Sequence, residues 1–262
     1  MAVKLECRCV TFRYGKTDIL HDISFSVEPG SFCAVLGRNG SGKTTLLHCL
    51  NGIHKPHQGE IRINGNTIVG MTRNQIARHI SLVPQEHLEI FPFKVIDVVV
   101  MGRAPFIGMT RTPSPNDYDL AMEALKTLNA QRLATCNFNR ISGGERQIAM
   151  LACALVQTSD IMLLDEPTNH LDFNNQYHLL SKIKQLCRAR KTSVIASMHD
   201  PNMAILFADT IVMVKAGKII ARGPAPEVMT KPNIDALYET DTTPVKISKT
   251  QHFFLPGEII NG

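Results

Sequence analysis

No apolar run in this sequence approaches the ~20 residues that cross a bilayer as a helix. Its longest candidates, KVIDVVVMG and DIMLLDEP, are short and carry charges. The opening MAVKLECRCV has no basic stretch followed by an apolar one, so no export signal is expected. Any role at a membrane must then come through a partner. Clusters of Lys and Arg are missing too: the formal charge of +5 is modest and the basic residues are dispersed. That removes the usual footprint of a polynucleotide-binding protein, and no nucleic-acid partner is expected. None of the seven cysteines forms a C-x-x-C pair, and several lie in apolar runs such as SFCAVLG and LACAL. They read as buried free thiols in a reducing compartment. Cys7 and Cys9 alternate along a predicted strand and should share a face, but no His or second Cys pair joins them for a metal. Low-complexity tracts, internal repeats and a long linker are also lacking.

What is present fits a globular domain with a substantial core. About 44% of the 262 residues are hydrophobic and 19% charged. This length suits one large domain, or one domain carrying an inserted subdomain. LECRCVTF, DISFSV and FCAVLG read as strands, followed by a glycine-rich turn and a helix through KTTLLHCLNG. GEIRING reads as another strand with a tight turn at Asn64-Gly65, and HISLVPQ as a short strand closed by Pro84. Between about 86 and 157 the pattern turns helical: FKVIDVVVMGR, then SPNDYDLAMEALKTLN, with the Pro-rich loop RAPFIGMTRTPSP between them. From 160 strands and helices alternate again, through IMLLDEP, NQYHLLSKIKQLCRAR and SVIASMHD, to a short helix and the hairpin TIVMVKAGKIIARG. Such alternation predicts a largely parallel sheet. The tail from about 240 is expected to add a strand pair.

Chemistry concentrates in a few short stretches. GRNGSGKTT, residues 37–45, fits G-x-x-x-x-G-K-[ST] and stands between a strand and a helix, which is the context this motif needs. Gly37, Asn39, Gly40, Ser41 and Gly42 form a loop whose N–H groups can cradle phosphates, with Lys43, Thr44 and Thr45 opening the helix. Lys43 is expected to reach the β- and γ-phosphates, and Thr44 to ligate Mg²⁺. IMLLDEP is an apolar strand ending in Asp165 and Glu166, at the carboxyl edge of the sheet where ligands bind. Asp165 would hold Mg²⁺ through its water shell, and Glu166 would orient or deprotonate an attacking water. A second candidate anion holder opens the helix in NRISGGERQIAM, where Ser142, Gly143 and Gly144 sit at a helix N-terminus. Ser142 with Glu145 three residues on is equally a capping box.

These stretches together resemble the ATP-binding-cassette (ABC) ATPases from Leu5 to about Tyr238. ISGGERQ resembles that family's signature motif, commonly LSGGQ, with Ile141 for Leu and Glu145 for Gln. The resemblance implies an α/β fold: a P-loop NTPase core of ABC type with an N-terminal antiparallel β subdomain and an inserted α-helical subdomain. It also implies one cassette over residues 1–240, with 241–262 as a C-terminal extension. In the family the signature motif faces the γ-phosphate of ATP held by the phosphate loop of a second subunit, so the two anion holders belong to one shared site. By the same resemblance Tyr14 stacks on adenine, and Gln85 contacts Mg²⁺ and the lytic water. His199 bonds the γ-phosphate and holds Glu166, while Asp172 lies in the loop NHLD that crosses the dimer interface.

VIDVVVMGRAPF, DEPTNHLD and HDPNMAILFADTIVMVKAGKIIARGPAPEVMT are similar to one branch, the ATPases of importers for iron–siderophore, haem and vitamin B12 chelates. This implies ATP and Mg²⁺ as cofactors and a homodimer on the cytoplasmic face of the membrane. Its other partners would be permease subunits and, indirectly, a solute-binding protein. The stretch from Phe91 to Pro115 would be the docking face. Cys153, where relatives usually carry Arg, and Pro201, where Leu is frequent, depart from the pattern. An oxyanion importer (molybdate or tungstate), an exporter, a soluble cassette and an interaction module that binds ATP without turnover remain as alternatives. Energy would go into conformational work, with the solute chemically unchanged.

Overall fold

The structure, a computed structural model, describes residues 4–85, 92–108, 111–169, 171–248 and 251–257. Strands β1 (Leu5–Tyr14) and β2 (Thr17–Val27) form an antiparallel ribbon. After β3 (Phe32–Leu36) and α1 (Lys43–Leu50), β4 (Gln58–Ile63) returns to pair antiparallel with β1 and carries the short β5 (Asn66–Thr67) at its edge. Asn64 and Gly65 both take positive φ, 51° and 79°, as the tight turn between β4 and β5 requires. The first sheet has the order β2-β1-β4-β5.

One sequence expectation fails in β1. Cys7 is buried and Cys9 exposed, so the two do not share a face. The register between β1 and β2 shifts between Cys7 and Val10, and Cys9 sits at φ 50°. A bulge of this kind breaks the two-residue alternation on which the expectation rested.

The chain continues through α2 (Arg73–Ala77), started by a Thr72–Gln75 capping box, to β6 (Ile80–Val83). Helices α3 (Val95–Val100), α4 (Pro115–Thr127) and α5 (Gly143–Val156) follow before β7 (Ile161–Asp165). The expected helix through FKVIDVVVMGR is shorter than its sequence suggested. It ends at Val100, and a 3-10 segment runs from Met101 to Phe106. Two causes are visible. A Cβ on Gly102 would lie 2.1 Å from the Cys153 carbonyl oxygen, so the backbone turns there against α5. Pro105 then lacks the N–H that a continuing α-helix would need.

Next come α6 (Phe173–Arg190), β8 (Ser193–Met198), α7 (Pro201–Phe207), β9 (Thr210–Lys215) and β10 (Lys218–Pro224). The chain closes with α8 (Ala225–Val228), α9 (Lys231–Tyr238) and the hairpin β11 (Thr242–Lys246) and β12 (His252–Pro256). Pro201 occupies the first turn of α7, where its missing N–H costs nothing. Asp200 caps that helix by accepting from the N–H groups of Asn202 and Met203.

The main sheet runs β10-β9-β3-β8-β7-β6, parallel throughout except for β10. Every residue of β3, β7 and β8 is buried, as expected for parallel strands covered on both faces. Alternate residues of β3 serve two cores. Phe32, Ala34 and Leu36 pack with α3–α7, whereas Cys33 and Val35 pack with α1 and the antiparallel sheet. Parallel register sets Leu36 beside Met198 and Asp165 beside Ser197. The ends of β3, β7 and β8 therefore lie side by side, and the loops that leave them meet.

Candidate active site

The loop after β3 is shaped by glycine. A Cβ at Gly37 would come within 2.4 Å of the Val214 carbonyl oxygen and 2.6 Å of Ser41 Oγ. Gly42, at φ 102°, precedes α1 and supplies no side-chain cap, so the first-turn N–H groups of that helix remain for another acceptor. Asn39, Gly40, Gly42, Lys43, Thr44 and Thr45 line a cleft of about 430 Å³, closed on the other side by Gln85 and Glu166. Ser41 Oγ is buried with no hydrogen-bond partner. Uncapped amides and one cationic side chain in the cleft, with an orphan hydroxyl in the loop beside it, suit an anion, and phosphate groups fit it.

Lys43 is only 4% exposed. Its ammonium donates to the carbonyls of Gly37 at 2.8 Å and Arg38 at 3.1 Å and lies 3.3 Å from Glu166 Oε1. Glu166 Oε2 accepts from Gln85 Nε2 at 3.4 Å and lies 3.6 Å from His199 Nδ1. The start of α1, the segment after β6 and the ends of β7 and β8 thus converge on one carboxylate. Glu166 sits at φ 45°, a left-handed conformation that costs a non-glycine residue about 1–2 kcal/mol. Its N–H donates to Ser197 Oγ at 2.8 Å, and the Ser197 hydroxyl donates to Asp165 Oδ1 at 2.6 Å. Ser197 therefore holds both acidic residues, a role the sequence reading missed; its only signal was a lone hydroxyl inside the apolar run VIASM. Among the described residues, no group of three or more His, Cys, Asp or Glu could hold a metal ion. A divalent cation here would be shared between Thr44, Gln85, the Asp165 water shell and phosphate oxygens.

Ser142, Gly143, Gly144 and Glu145 form the start of α5 with a complete capping box. Ser142 Oγ accepts from the Glu145 N–H at 3.3 Å, and Glu145 Oε2 accepts from the Ser142 N–H at 3.0 Å. Hydrogen bonds from the Ser142 backbone and then from the Arg132 guanidinium hold the Glu145 carboxyl below its usual range. Space around Gly143 is open, with nothing within 4 Å of a Cβ there. Ser142 and Gly144 do not line the Lys43 cleft. They border a separate cavity of about 440 Å³ with Arg132, Leu171 and Lys182.

Tyr14 ends β1 and is half exposed, so it is not the core aromatic its strand setting could have made it. Its hydroxyl is 2.6 Å from His54 Nε2. Asp172 caps α6, its two carboxylate oxygens accepting from the N–H and the side-chain amide of Asn175, both at 2.8 Å. Of the expected docking stretch, Phe91, Met109 and Thr110 lie outside the described residues, as does His170 of NHLD.

A phosphate-suited loop opening α1, acidic residues at the edge of a parallel sheet and helices inserted before β7 together define a nucleotide-binding cassette. The ABC transporter family matches residues 20–169, and this chain belongs to that family as an ABC-type ATPase. It is 37% identical over 237 residues to a probable iron chelatin transport ATP-binding protein of Helicobacter pylori, covering 90% of this chain and 93% of that one. It is 33% identical over 248 residues to the hemin import ATP-binding protein HmuV of Thermobifida fusca, covering 95% and 86%. Among solved structures, an inward-facing ABC transporter of metal-chelate type superposes with a TM-score of 0.86 at 31% identity, over 98% of both chains.

Proposed function

We propose that this chain is the ATP-hydrolysing subunit of a membrane importer for metal chelates of the iron–siderophore, haem or cobalamin type. The observation that carries the reading is the convergence of Lys43, Gln85 and His199 on the two oxygens of Glu166. A buried carboxylate with a phosphate-binding lysine on one side and an imidazole on the other suits in-line attack by water on a γ-phosphate. The alternative of a binding module without turnover would have no use for that arrangement.

In this reading the phosphates of ATP replace the Gly37 and Arg38 carbonyls as partners of Lys43, and loop N–H groups share the charge. Tyr14 stacks on adenine. Thr44, Gln85 and, through water, Asp165 would hold Mg²⁺, which would supply positive charge to the phosphate oxygens. Glu166 orients the water, and His199 holds Glu166 and the γ-phosphate. Ser142 and the Gly143 and Gly144 amides meet the γ-phosphate bound by a second copy, with Asp172 at the seam. The separation of Ser142 from the Lys43 cleft within one chain supports this division. Closure of the homodimer around ATP would move the helical insert. Phe93, Met101 and Phe106 are exposed on that insert and would meet permease subunits at the cytoplasmic face of the membrane. No helix among the described residues is long and apolar enough to cross a membrane. Metal-chelate import is favoured over the oxyanion alternative by the relatives named above.

The test is steady-state ATP hydrolysis by the purified protein, alone and reconstituted with the permease subunits. Turnover that rises with the permease is expected. Turnover indifferent to any membrane partner would reject the transport reading in favour of a soluble cassette.

A further inference from the structure

The C-terminal segment reaches back into the site at two points. The Tyr238 hydroxyl, at the end of α9, donates to the His199 carbonyl at 2.6 Å. Glu239 follows as the C-cap of α9 in a left-handed conformation at φ 56°. That carboxylate pairs with Arg38 at 2.7 Å and Lys215 at 2.9 Å. Arg38 lies in the phosphate loop, and its own carbonyl accepts from Lys43.

This segment is itself anchored. Asp235 accepts from the Thr242 N–H at 2.8 Å and hydroxyl at 2.6 Å, and Lys231 bridges Asp235 and Asp241. Beyond it the hairpin grips α7: Asn202 Oδ1 accepts from the Phe254 N–H at 2.8 Å, and Asn202 Nδ2 donates to the Phe254 carbonyl at 3.2 Å. The turn from His199 to Asn202 is therefore held at both ends by residues 231–257, at one end by Tyr238 and at the other by Phe254.

The His199 side chain is 48% exposed, so side-chain packing does little to orient it. Its direction must come from the backbone that carries it. Burial and the nearby Asp200 carboxylate push the Tyr238 phenol well above its ordinary range, which keeps it a donor at any physiological pH. We propose that Tyr238 is a positioning residue for ATP hydrolysis, fixing the His199 peptide so that the imidazole meets Glu166 and the γ-phosphate. This rests on the role given to His199 above. Tyr238 touches the backbone of His199 rather than substrate, so it acts on the chemical step and leaves nucleotide binding to the phosphate loop.

Tyr238→Phe keeps the ring and removes only the hydroxyl. In the full chain, kcat should fall about three- to tenfold, the scale of one neutral hydrogen bond. The KM for ATP should stay within about twofold and the melting midpoint within a few degrees. Asn202→Ala, which frees the other end of the turn, should act in the same direction. A wild-type kcat in Tyr238→Phe overturns the inference, as does a kcat loss matched by an equal rise in KM. His199→Ala, measured alongside, separates the two ideas. If it abolishes turnover while Tyr238→Phe does not slow it, only the positioning role fails. If His199→Ala turns over normally, the reading of His199 fails and the inference falls with it.

Discussion

The hydroxyl of Ser197, at the end of β8 and fully shielded from solvent, donates to Asp165 Oδ1 at the end of β7 across 2.6 Å. The same oxygen accepts the N–H of Glu166, so one side chain fixes a carboxylate and the strained peptide beside it. Ser197→Ala leaves a buried carboxylate oxygen and a buried N–H without partners, at a cost of about 1–3 kcal/mol each. We expect a lower melting midpoint and a weakened apparent affinity for Mg²⁺ in ATP hydrolysis, seen as a right-shifted Mg²⁺ titration. A variant with the wild-type midpoint and titration would remove Ser197 from the site.

Lys43 and Glu166 are both more than nine-tenths buried and face each other at 3.3 Å. Removing one partner of such a pair leaves an uncompensated charge, which costs about 3–5 kcal/mol. Lys43→Ala should therefore melt earlier than the wild type. It should also lose the midpoint rise that ATP gives, which for the wild type is worth about 2.7 kcal/mol at 100 times Kd. An undiminished ATP-dependent shift in Lys43→Ala would place the phosphates elsewhere.

Glu166→Gln keeps the shape of the side chain and removes its charge. If Glu166 orients or deprotonates water, kcat should drop at least about a hundredfold, the usual contribution of a general base. ATP binding should persist, so the variant should gather as an ATP-dependent dimer in size-exclusion chromatography. Turnover near the wild-type rate would assign the base to another residue.

Much of this was legible because the informative features are local. The phosphate loop, the acidic strand end and the apolar parallel strands each declare themselves within a few residues, and the register of β3, β7 and β8 then brings them together. What stayed hidden depends on long-range contact. Ser197 looks like an interruption until β8 lies against β7. Gly102 carries no hint that the Cys153 carbonyl waits opposite it. Tyr238 lies 39 residues from the carbonyl it binds. The bulge that turns Cys9 outward reflects pairing with β2, which alternation along one strand cannot reveal.

That bulge makes a chemical prediction. Thiolates are the reactive form of cysteine, and burial pushes the thiols of Cys33 and Cys49 up to about 12 and those of Cys153 and Cys187 up to about 11. Cys7 is also raised by burial, whereas Cys9 is exposed. Cys136 is half-buried and keeps partial access, so titration of the native protein with a chromogenic disulfide at pH 8 should show a fast phase whose amplitude falls by one thiol in Cys9→Ser. The four thiols with the strongly raised values above should react only after denaturation. Fast reaction of Cys33 or Cys49 in the native protein would contradict the packing of β3 and α1.

Glu145 closes the capping box on Ser142 and pairs with Arg132 at 2.7 Å, and both contacts favour its ionised form. Its pKa is therefore lower in the folded chain than in the unfolded one, where a glutamate titrates near about 4.3. The stabilisation is complete above that unfolded value and is lost as pH falls through the folded one. Glu145→Gln can still accept from the Ser142 N–H, so the cap survives, but the amide has no charge to lose. Melting midpoints of the two proteins, followed from pH 7 down to pH 3.5, should stay separated by a constant amount above about pH 5. Below it the wild type should lose ground to the glutamine variant. Parallel curves over the whole range would mean that the Glu145 charge contributes nothing to the start of α5. Turnover of Glu145→Gln near the wild-type rate would show that the site needs the cap at this position, not the carboxylate.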